Sequence, residues 1–541
     1  DIESMVTMNE LKDEFGNNDL MFLGFGKRGV DALNAQNLAT LWDLSYALEE
    51  IDQVDEIMSI STSDKMESID GFLEVSALQE YRDLDEEEIE ALRSYLNDNS
   101  KIKTRNLGEH GDYFNIIIRP VVGAKHDVLV SDMKQVAATH LSDYDVHWGG
   151  QAYLTGALPV MIRNDVLGLM RAGLIGMLLI LLFSLRNVTA VGSILATIIL
   201  SMAFMMGFNG WMLYLTKSDK FMFGVLNTSM PIILLTIANS YGVHVITKFF
   251  RKMRTNKDSR AAVEASLNSL VLPIFLTALT TVAAFLCMVF APLEPLIGYG
   301  FSISAGILWA WILSTVFLPS ILVLKKWNPD ASAVSHPSHF ERFVISFGEQ
   351  VIKRPKTVLI GGAVVVIIGI AGIFKLNIEV NMKKFFKPDN PIRESLEFMD
   401  NEMTGTMDLQ LLINADLRSP EVLTRIGSIQ DFMEEHESVT LSFSIADIIK
   451  QMHRMVNDDD PAFETIPDSR DKVNNLFTMY SMSGDPDDFS SIVDYDYKKG
   501  LATSMMRSIS TSEIVKLVDE IEAFLQQDEY KDLNITITGL L

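Results

Sequence analysis

Apolar and polar positions divide the chain into two kinds of territory. Five long apolar runs follow one another: Val166 to Leu185, Val188 to Met206, Phe223 to Ile246, Val271 to Phe290 and Ile297 to Leu324. A sixth, Thr357 to Phe374, stands apart. Each is near the roughly 20 residues a helix needs to cross a hydrocarbon core. Six such runs with almost no charge exceed what a soluble core uses, so the pattern predicts membrane helices rather than buried core helices. Pro231 and Pro273 fall inside two of the runs, which is tolerated where neighbouring helices satisfy the backbone.

The long stretches 1–150 and 376–541 carry a different pattern, of short apolar strands and amphipathic helices. Met8 to Gly16 followed by Asp19-Leu20-Met21 lines up with Leu396 to Gly405 followed by Asp408-Leu409-Gln410. Each then reads as a strand (Leu20 to Phe25; Leu409 to Asn414) and a helix (Asp31 to Glu50; Ser419 to His436, with Pro420 near its start). Tyr113 to Arg119 pairs with Gly500 to Arg507 as a second strand. Val128 to Gly150 pairs with Ile514 to Gly539 as a helix followed by a strand ending in Gly. The order strand–helix–strand, twice over, predicts a ferredoxin-like split βαβ unit in each stretch, related as an internal repeat. The fold class expected is therefore an α-helical polytopic membrane bundle with α+β outer domains.

Charge orients the helices. Lys248, Arg251, Lys252, Arg254, Lys257 and Arg260 follow the third run. Lys325 and Lys326 follow the fifth, and Lys353, Arg354 and Lys356 precede the sixth. By the positive-inside rule these ends are cytoplasmic. Arg186 falls on the same side, while the loop holding Trp211, Tyr214 and Asp219 falls on the other. Both long stretches then lie outside. No cleavable signal peptide is visible at residue 1, so at least one further N-terminal membrane helix is expected before this sequence. The second copy stops at Leu541 where the first runs on into a membrane helix. The sequence thus reads as the middle of a longer protein, and parallel repeats of this kind are a transporter signature.

Composition narrows the classes. The 541 residues have a net charge of −26 and a mean hydropathy of +0.19. The first outer stretch alone holds roughly 31 acidic against 12 basic residues. Nucleic acid is not a partner this balance favours, since phosphate binding needs a basic surface. The apolar content excludes disorder. The lone cysteine, Cys287, excludes a disulfide framework and a cysteine-based zinc site.

Several motifs carry a family resemblance. Leu276-Thr277-Ala278-Leu279-Thr280-Thr281-Val282-Ala283-Ala284-Phe285-Leu286 resembles the fifth-helix signature of the resistance–nodulation–division (RND) superfamily. Gly298-Tyr299-Gly300-Phe301 through Gly306, ending in Leu318-Pro319-Ser320-Ile321-Leu322, resembles that signature too. Phe386-Lys387-Pro388-Asp389-Asn390-Pro391 resembles the stretch after the seventh. The likeness is greatest to the hydrophobe/amphiphile exporters, MmpL-like and hopanoid transporters, with Patched-like proteins more distant. It implies a first outer porter domain at 1–160, transmembrane helices 2–6 at 161–326, a cytoplasmic linker at 327–356, helix 7 at 357–375, and a second porter domain at 376–541. It also implies export of a lipid or other amphiphile across a bacterial inner membrane, driven by the proton gradient. A periplasmic or outer-membrane partner protein fits that role, since exported lipid must be handed on. The resemblance leaves the oligomeric state open.

The family relay often has an acid in helix four, in a pattern like Asp-Tyr-x-x-His. Here the segment reads Asn239-Ser240-Tyr241-Gly242-Val243-His244. Tyr241 and His244 match, but Ser240 stands where the acid would be, and serine does not titrate at working pH. Histidine is the residue type that titrates near neutrality. Ser240 and His244 share a helix face, and Thr277, Thr280 and Thr281 are candidates to face them. One reading is a polar seam carrying protons or an ion. The other is ordinary interhelical hydrogen bonding. The missing acid leaves room for a lipid- or sterol-sensing receptor or scaffold of the same architecture without net transport.

Other constellations weigh less. Gly24-Phe25-Gly26-Lys27-Arg28-Gly29 fits G-x-G-x-x-G, but its repeat counterpart has no glycines, so a strand-to-helix turn explains it better than a dinucleotide. Asp85-Glu86-Glu87-Glu88 and Asp458-Asp459-Asp460 lack the ligand spacing of a calcium loop. No H-E-x-x-H or G-x-S-x-G is present, and neither an enzyme, a metal nor a cofactor is expected. Among the 28 methionines, Met403, Met407, Met452, Met455, Met479 and Met482 are candidates to line a lipid path, against a plain role in core packing.

Overall fold

The computed structural model describes residues 15–16, 19–69, 72–224, 226–329, 331–336, 339–376, 382–484 and 489–539. Met8 to Glu14 of the repeat alignment, and Leu540 and Leu541, lie outside them. The chain forms two compact units, Asp1–Leu158 with Asn377–Leu541, and Pro159–Leu376.

The first unit begins with β1 (Met21–Gly26), α1 (Ala35–Glu49) and β2 (Val54–Met58), then a hairpin of β3 (Asp64–Ile69) and β4 (Phe72–Ala77). It continues with α2 (Glu86–Asp98), α3 (Ser100–Asn106), β5 (Tyr113–Pro120), α4 (His126–His140) and β6 (Asp145–Gly149). The sheet order is β2-β5-β1-β6, and every neighbour is antiparallel. That is the split βαβ arrangement. Each β1 residue is buried, because the strand is central and covered on both faces. The acidic run at 85–88 is a capping box: Asp85 accepts from the Glu87 and Glu88 amides, and Glu88 accepts from the Asp85 amide.

The second unit is helical. It takes most of α5 (Gln151–Leu185), then α6 (Val188–Thr216), α7 (Met230–Asn256), α8 (Ser259–Leu286), α9 (Glu294–Ile312) and α10 (Leu318–Leu324). A π-helical turn, Leu313–Phe317, joins the last two. An amphipathic helix, α11 (His339–Lys353), and the apolar α12 (Pro355–Ile373) follow. Among the described residues, six helices are long and apolar enough to cross a membrane: Gln151–Leu185, Val188–Thr216, Asp219–Asn256, Ser259–Phe290, Glu294–Leu324 and Pro355–Ile373. Most extend beyond the apolar runs, because helical hydrogen bonding continues into the polar flanks. Side chains of α6 to α9 form the core, with Ile194, Ile198, Leu234, Ala238, Ile303 and Ile307 fully buried. None of the side chains of α12 is buried. A helix that is apolar all round and uncovered by protein suits a hydrocarbon environment.

The glycines of the Gly298-Tyr299-Gly300 motif have a packing reason. A β-carbon at Gly298 would overlap the Lys220 carbonyl oxygen, and one at Gly300 the Phe285 carbonyl oxygen. Backbone meets backbone there, so no side chain fits.

The chain then completes the first unit with α13 (Pro391–Glu402), β7 (Met407–Asn414), α14 (Pro420–Glu434), β8 (Val439–Phe443) and α15 (Ile445–Met455). These are followed by α16 (Arg470–Ser483), β9 (Lys499–Met506), α17 (Thr511–Leu525) and β10 (Ile535–Gly539). This sheet has the order β10-β7-β9-β8, all antiparallel. Numbered within each half, both sheets run 4-1-3-2.

The two α+β halves interlock. Helix α13 packs on β6 of the other half, and Met399 and Met403 pack with Phe22, Tyr113 and Ile117. The β3–β4 hairpin, which the sequence reading leaves unassigned, reaches the second half in turn. Its Leu73 joins the core formed by Ile449, Leu476 and Tyr480.

Candidate functional site

In the helical unit the candidate residues occupy two different environments. Tyr241 is buried and Asn239 half-buried, on the inner side of α7. The Tyr241 hydroxyl and Asn239 Oδ1 have no hydrogen-bond partner among the described residues. A buried polar atom without a partner costs about 1–3 kcal/mol, so such groups need a reason to persist. Ser240 and His244 are exposed on another face of α7. Thr277 and Thr280 are exposed on α8, and Thr281 is half-buried. Each threonine hydroxyl donates back to its own helix: Thr277 to Pro273, Thr280 to Leu276 and Thr281 to Thr277, at 2.8–3.0 Å. Among the described residues no hydrogen bond joins them to Ser240 or His244.

One group of hydrogen bonds between helices lies toward the Thr216–Met230 end. Ser302 Oγ donates to Asn209 Oδ1 at 2.7 Å, and Asn209 Nδ2 donates to the Phe221 carbonyl at 3.1 Å. Ser229 Oγ and the Tyr299 hydroxyl lie 2.9 Å apart. The sequence reading missed this cluster. Its signal was Asn209, the one side-chain amide on helix α6.

In the α+β unit, a cavity of about 280 Å³ opens between the two halves. That is near the lower end for small-molecule sites. Ile102, Ile117, Leu441, Phe443, Ile448 and Met505 form much of its apolar wall. Strands β5, β8 and β9 bring Ile117, Leu441, Phe443 and Met505 inward by their two-residue alternation, and helices α3 and α15 supply Ile102 and Ile448. Polar groups converge on the same space. Arg105 Nη2 donates to Ser63 Oγ at 3.3 Å, while Arg105 Nε is buried without a hydrogen-bond partner among the described residues. Burial holds the Arg105 guanidinium below its usual pKa, and the nearby Glu56 carboxylate works against that shift. Arg119, by contrast, is committed: it pairs with Asp55 at 3.0 Å and with Glu56.

Gln410 also lines the cavity, and its Nε2 donates to Asp408 Oδ2 at 2.7 Å. Burial pushes Asp408 up to about 7; the Gln410 bond lowers it and the Asp19 carboxylate raises it. At neutral pH this carboxyl is therefore poised between charged and uncharged forms.

The six methionines read from the sequence are placed as follows. Met403 lies in the cluster between the halves. Met452 and Met455 are in the core of the second half, with Met407 and Met479 packed against it. Met482 is exposed. The methionines lining the cavity are Met58, Met66 and Met505. The glycines of 24–29 serve packing and a turn. A β-carbon at Gly24 would lie 3.2 Å from Met399 Sδ, one at Gly26 would overlap the Asp112 carbonyl oxygen, and Gly29 has φ +75°. Among the described residues no group of three or more His, Cys, Asp or Glu side chains could hold a metal ion. Asp459 of the second acidic run pairs with Arg454 at 2.7 Å.

Comparison with known proteins bears on the middle of the chain. Residues 123–358 match the model of the MMPL family. The chain is 28% identical over 162 residues to the sulfolipid-1 exporter MmpL8 of Mycobacterium tuberculosis strains CDC 1551 and H37Rv. It is equally similar to the probable transport protein MmpL8 of Mycobacterium bovis. The match covers 28% of this chain and 14% of those relatives. From residue 123 to residue 358 the chain is thus MmpL-like, its membrane-helix segment similar to that of the MMPL family within the RND type of transporter.

Proposed function

We propose that this chain is part of a bacterial inner-membrane transporter that exports a lipid or similar amphiphile. The two α+β halves, copies of one unit, form the periplasmic substrate path. The observation that carries this reading is the cavity between the halves, apolar along Leu441, Phe443 and Met505 and polar at Arg105. An amphiphile needs that division, with the chain against the apolar wall and the head beside the guanidinium. The MMPL match and the six membrane-length helices support the membrane setting. Coupling to the proton gradient would run through α7 and α8, with Asn239, Ser240, Tyr241, His244, Thr277, Thr280 and Thr281 as the candidate relay residues. A periplasmic or outer-membrane protein would receive the exported molecule.

The test is lipid mass spectrometry on the protein in native nanodiscs, beside an unrelated membrane protein from the same cells. The expected result is one enriched amphiphile, lost in the cavity-filling variant Thr503→Trp. A profile equal to the control in both proteins would remove the cavity from the path and favour a receptor or scaffold without transport.

A further inference from the structure

Asp408 and Gln410 sit two residues apart on β7, so their side chains share one face of the second sheet. That face looks onto the cavity. On β9, Met505 stands opposite Asp408 and Thr503 opposite Gln410, and both line the cavity with Gln410. The other face of β7, through Leu409, Leu411 and Ile413, packs into the apolar core of its half. Asp408 and Gln410 are themselves buried. The Gln410 amide has a donor end and an acceptor end. Nε2 is the end bound to Asp408 Oδ2, at 2.7 Å. Oε1 makes no hydrogen bond among the described residues and is left for the cavity.

The charge on Asp408 decides which end faces inward. A carboxylate only accepts, so it binds Nε2. A protonated carboxyl donates from its O–H, and Oε1 is then the end it binds. Protonation therefore turns the amide, and the cavity wall at Gln410 changes from an acceptor to an N–H donor. It also removes one negative charge from that wall. The proton comes from the surrounding water, and the new O–H is the one covalent bond formed.

From the first half, the Asp19 carboxylate faces Asp408 and favours its protonated form. Met505 on β9 and Thr538, opposite Gln410 on β10, do not titrate. Around the rest of the cavity stand Glu56, Asp64, Arg105, Arg119 and Tyr480. Arg119 is held by Asp55 and Glu56. The Arg105 side chain donates to Ser63 Oγ, while its buried Nε–H has no hydrogen-bond partner among the described residues. A guanidinium with a buried, unpaired N–H favours an anion beside it. An ionised Asp408 works against that anion. A protonated one, with the Gln410 N–H turned inward, supports it.

We propose that the cavity takes an anionic amphiphile together with a proton, Asp408 being the group protonated, which acts on the ligand through Gln410. This rests on the reading of the cavity as the amphiphile's site. It adds the charge of the head and a proton link outside the candidates on α7 and α8.

Calorimetry on the whole chain in phosphatidylcholine nanodiscs tests it. Decyl sulfate is the anionic probe, decanol its uncharged counterpart and empty discs the blank. A sulfate ester stays charged throughout, so any pH dependence belongs to the protein. Decyl sulfate should bind on the order of tenfold tighter at about pH 5.5 than at about pH 8.5. At about pH 7.5, titrations in buffers of different ionisation enthalpy should show uptake of about half a proton, as a tenfold linkage to a group titrating at about 7 requires. This count is read on the unsubstituted chain and stands whether or not a variant folds. Decanol should show neither effect. Asp408→Asn should abolish both the uptake and the pH dependence. Gln410→Met should leave the acid-side affinity at the weaker, alkaline level. Equal affinity for decyl sulfate at both pH values, with no proton uptake, would overturn the proposal. So would uptake that survives in Asp408→Asn, or a pH dependence that decanol shares. Unchanged acid-side affinity in Gln410→Met would overturn the role of Gln410. Heat no greater than that of empty discs at either pH would instead remove the cavity itself from the amphiphile's path, and the proposal with it.

Discussion

Lys101 and Asp447 lie 346 residues apart in sequence and 2.8 Å apart in space. The ammonium also donates to the Ser442 carbonyl at 2.9 Å and lies 3.3 Å from Glu434. Although burial works against its charge, Asp447 and Glu434 hold its pKa above the usual lysine value. Asp447 is itself occupied on its other oxygen, by the Ser444 amide at 2.8 Å and Gln430 Nε2 at 2.7 Å. One carboxylate thus caps α15 and joins the two α+β halves.

Lys101→Met should loosen that joint. Charge-assisted bonds of this kind contribute about 1 kcal/mol when part-exposed. A double-mutant cycle with Asp447→Asn, read by thermal melting, should show a coupling of that order. Strict additivity would mean the pair does not hold the halves together.

Asp408 makes stability fall as pH rises. Its folded pKa of about 7 exceeds the ordinary aspartate value of 3.8, so the folded state binds more protons between those values. The favourable contribution is fully present below about 4 and is lost as pH passes through 7. Asp408→Asn should flatten this component, worth on the order of a few kcal/mol. Melting temperatures of both proteins from pH 5 to pH 8 check it; parallel curves would refute it.

Gly298→Ala should prevent the helical unit from packing, because the new methyl has no space beside the Lys220 carbonyl. Gly168→Ala, where nothing lies within 4 Å, should be tolerated. Size-exclusion profiles in detergent distinguish the two, and equal behaviour would contradict the close approach.

Arg105→Met removes a buried guanidinium that is only partly satisfied. Stability should be unchanged or slightly raised. If Arg105 receives the amphiphile's head, the lipid enriched in nanodiscs should fall about tenfold, the loss of one charge-assisted contact. Retained enrichment would assign the head elsewhere.

His244→Ala tests the coupling role with little structural cost, since the ring is exposed. Transport should be lost while expression and melting temperature hold. Full activity would remove His244 from the mechanism.

The membrane-length helices were legible because hydrocarbon demands a long local run of apolar residues, and Val166 to Leu185 shows it without reference to any partner. The split βαβ pattern was legible for a similar reason: two-residue and 3.6-residue periodicities lie within single segments, as in Tyr113 to Arg119. The β3–β4 hairpin was not, because its mixed sequence, Asp64 to Ala77, has an apolar face only in relation to helices 370 or more residues later.

The sequence by itself therefore determined which segments are apolar helices, which are strands, and where charge gathers at helix ends. Local periodicity and composition suffice for that. Only the tertiary structure decided that Met58, Met66 and Met505 rather than the methionines of α15 line the cavity, that Arg105 turns into it, and that Glu341 grips Arg254. Each depends on which distant surfaces meet, and no local spacing encodes the partner across the gap.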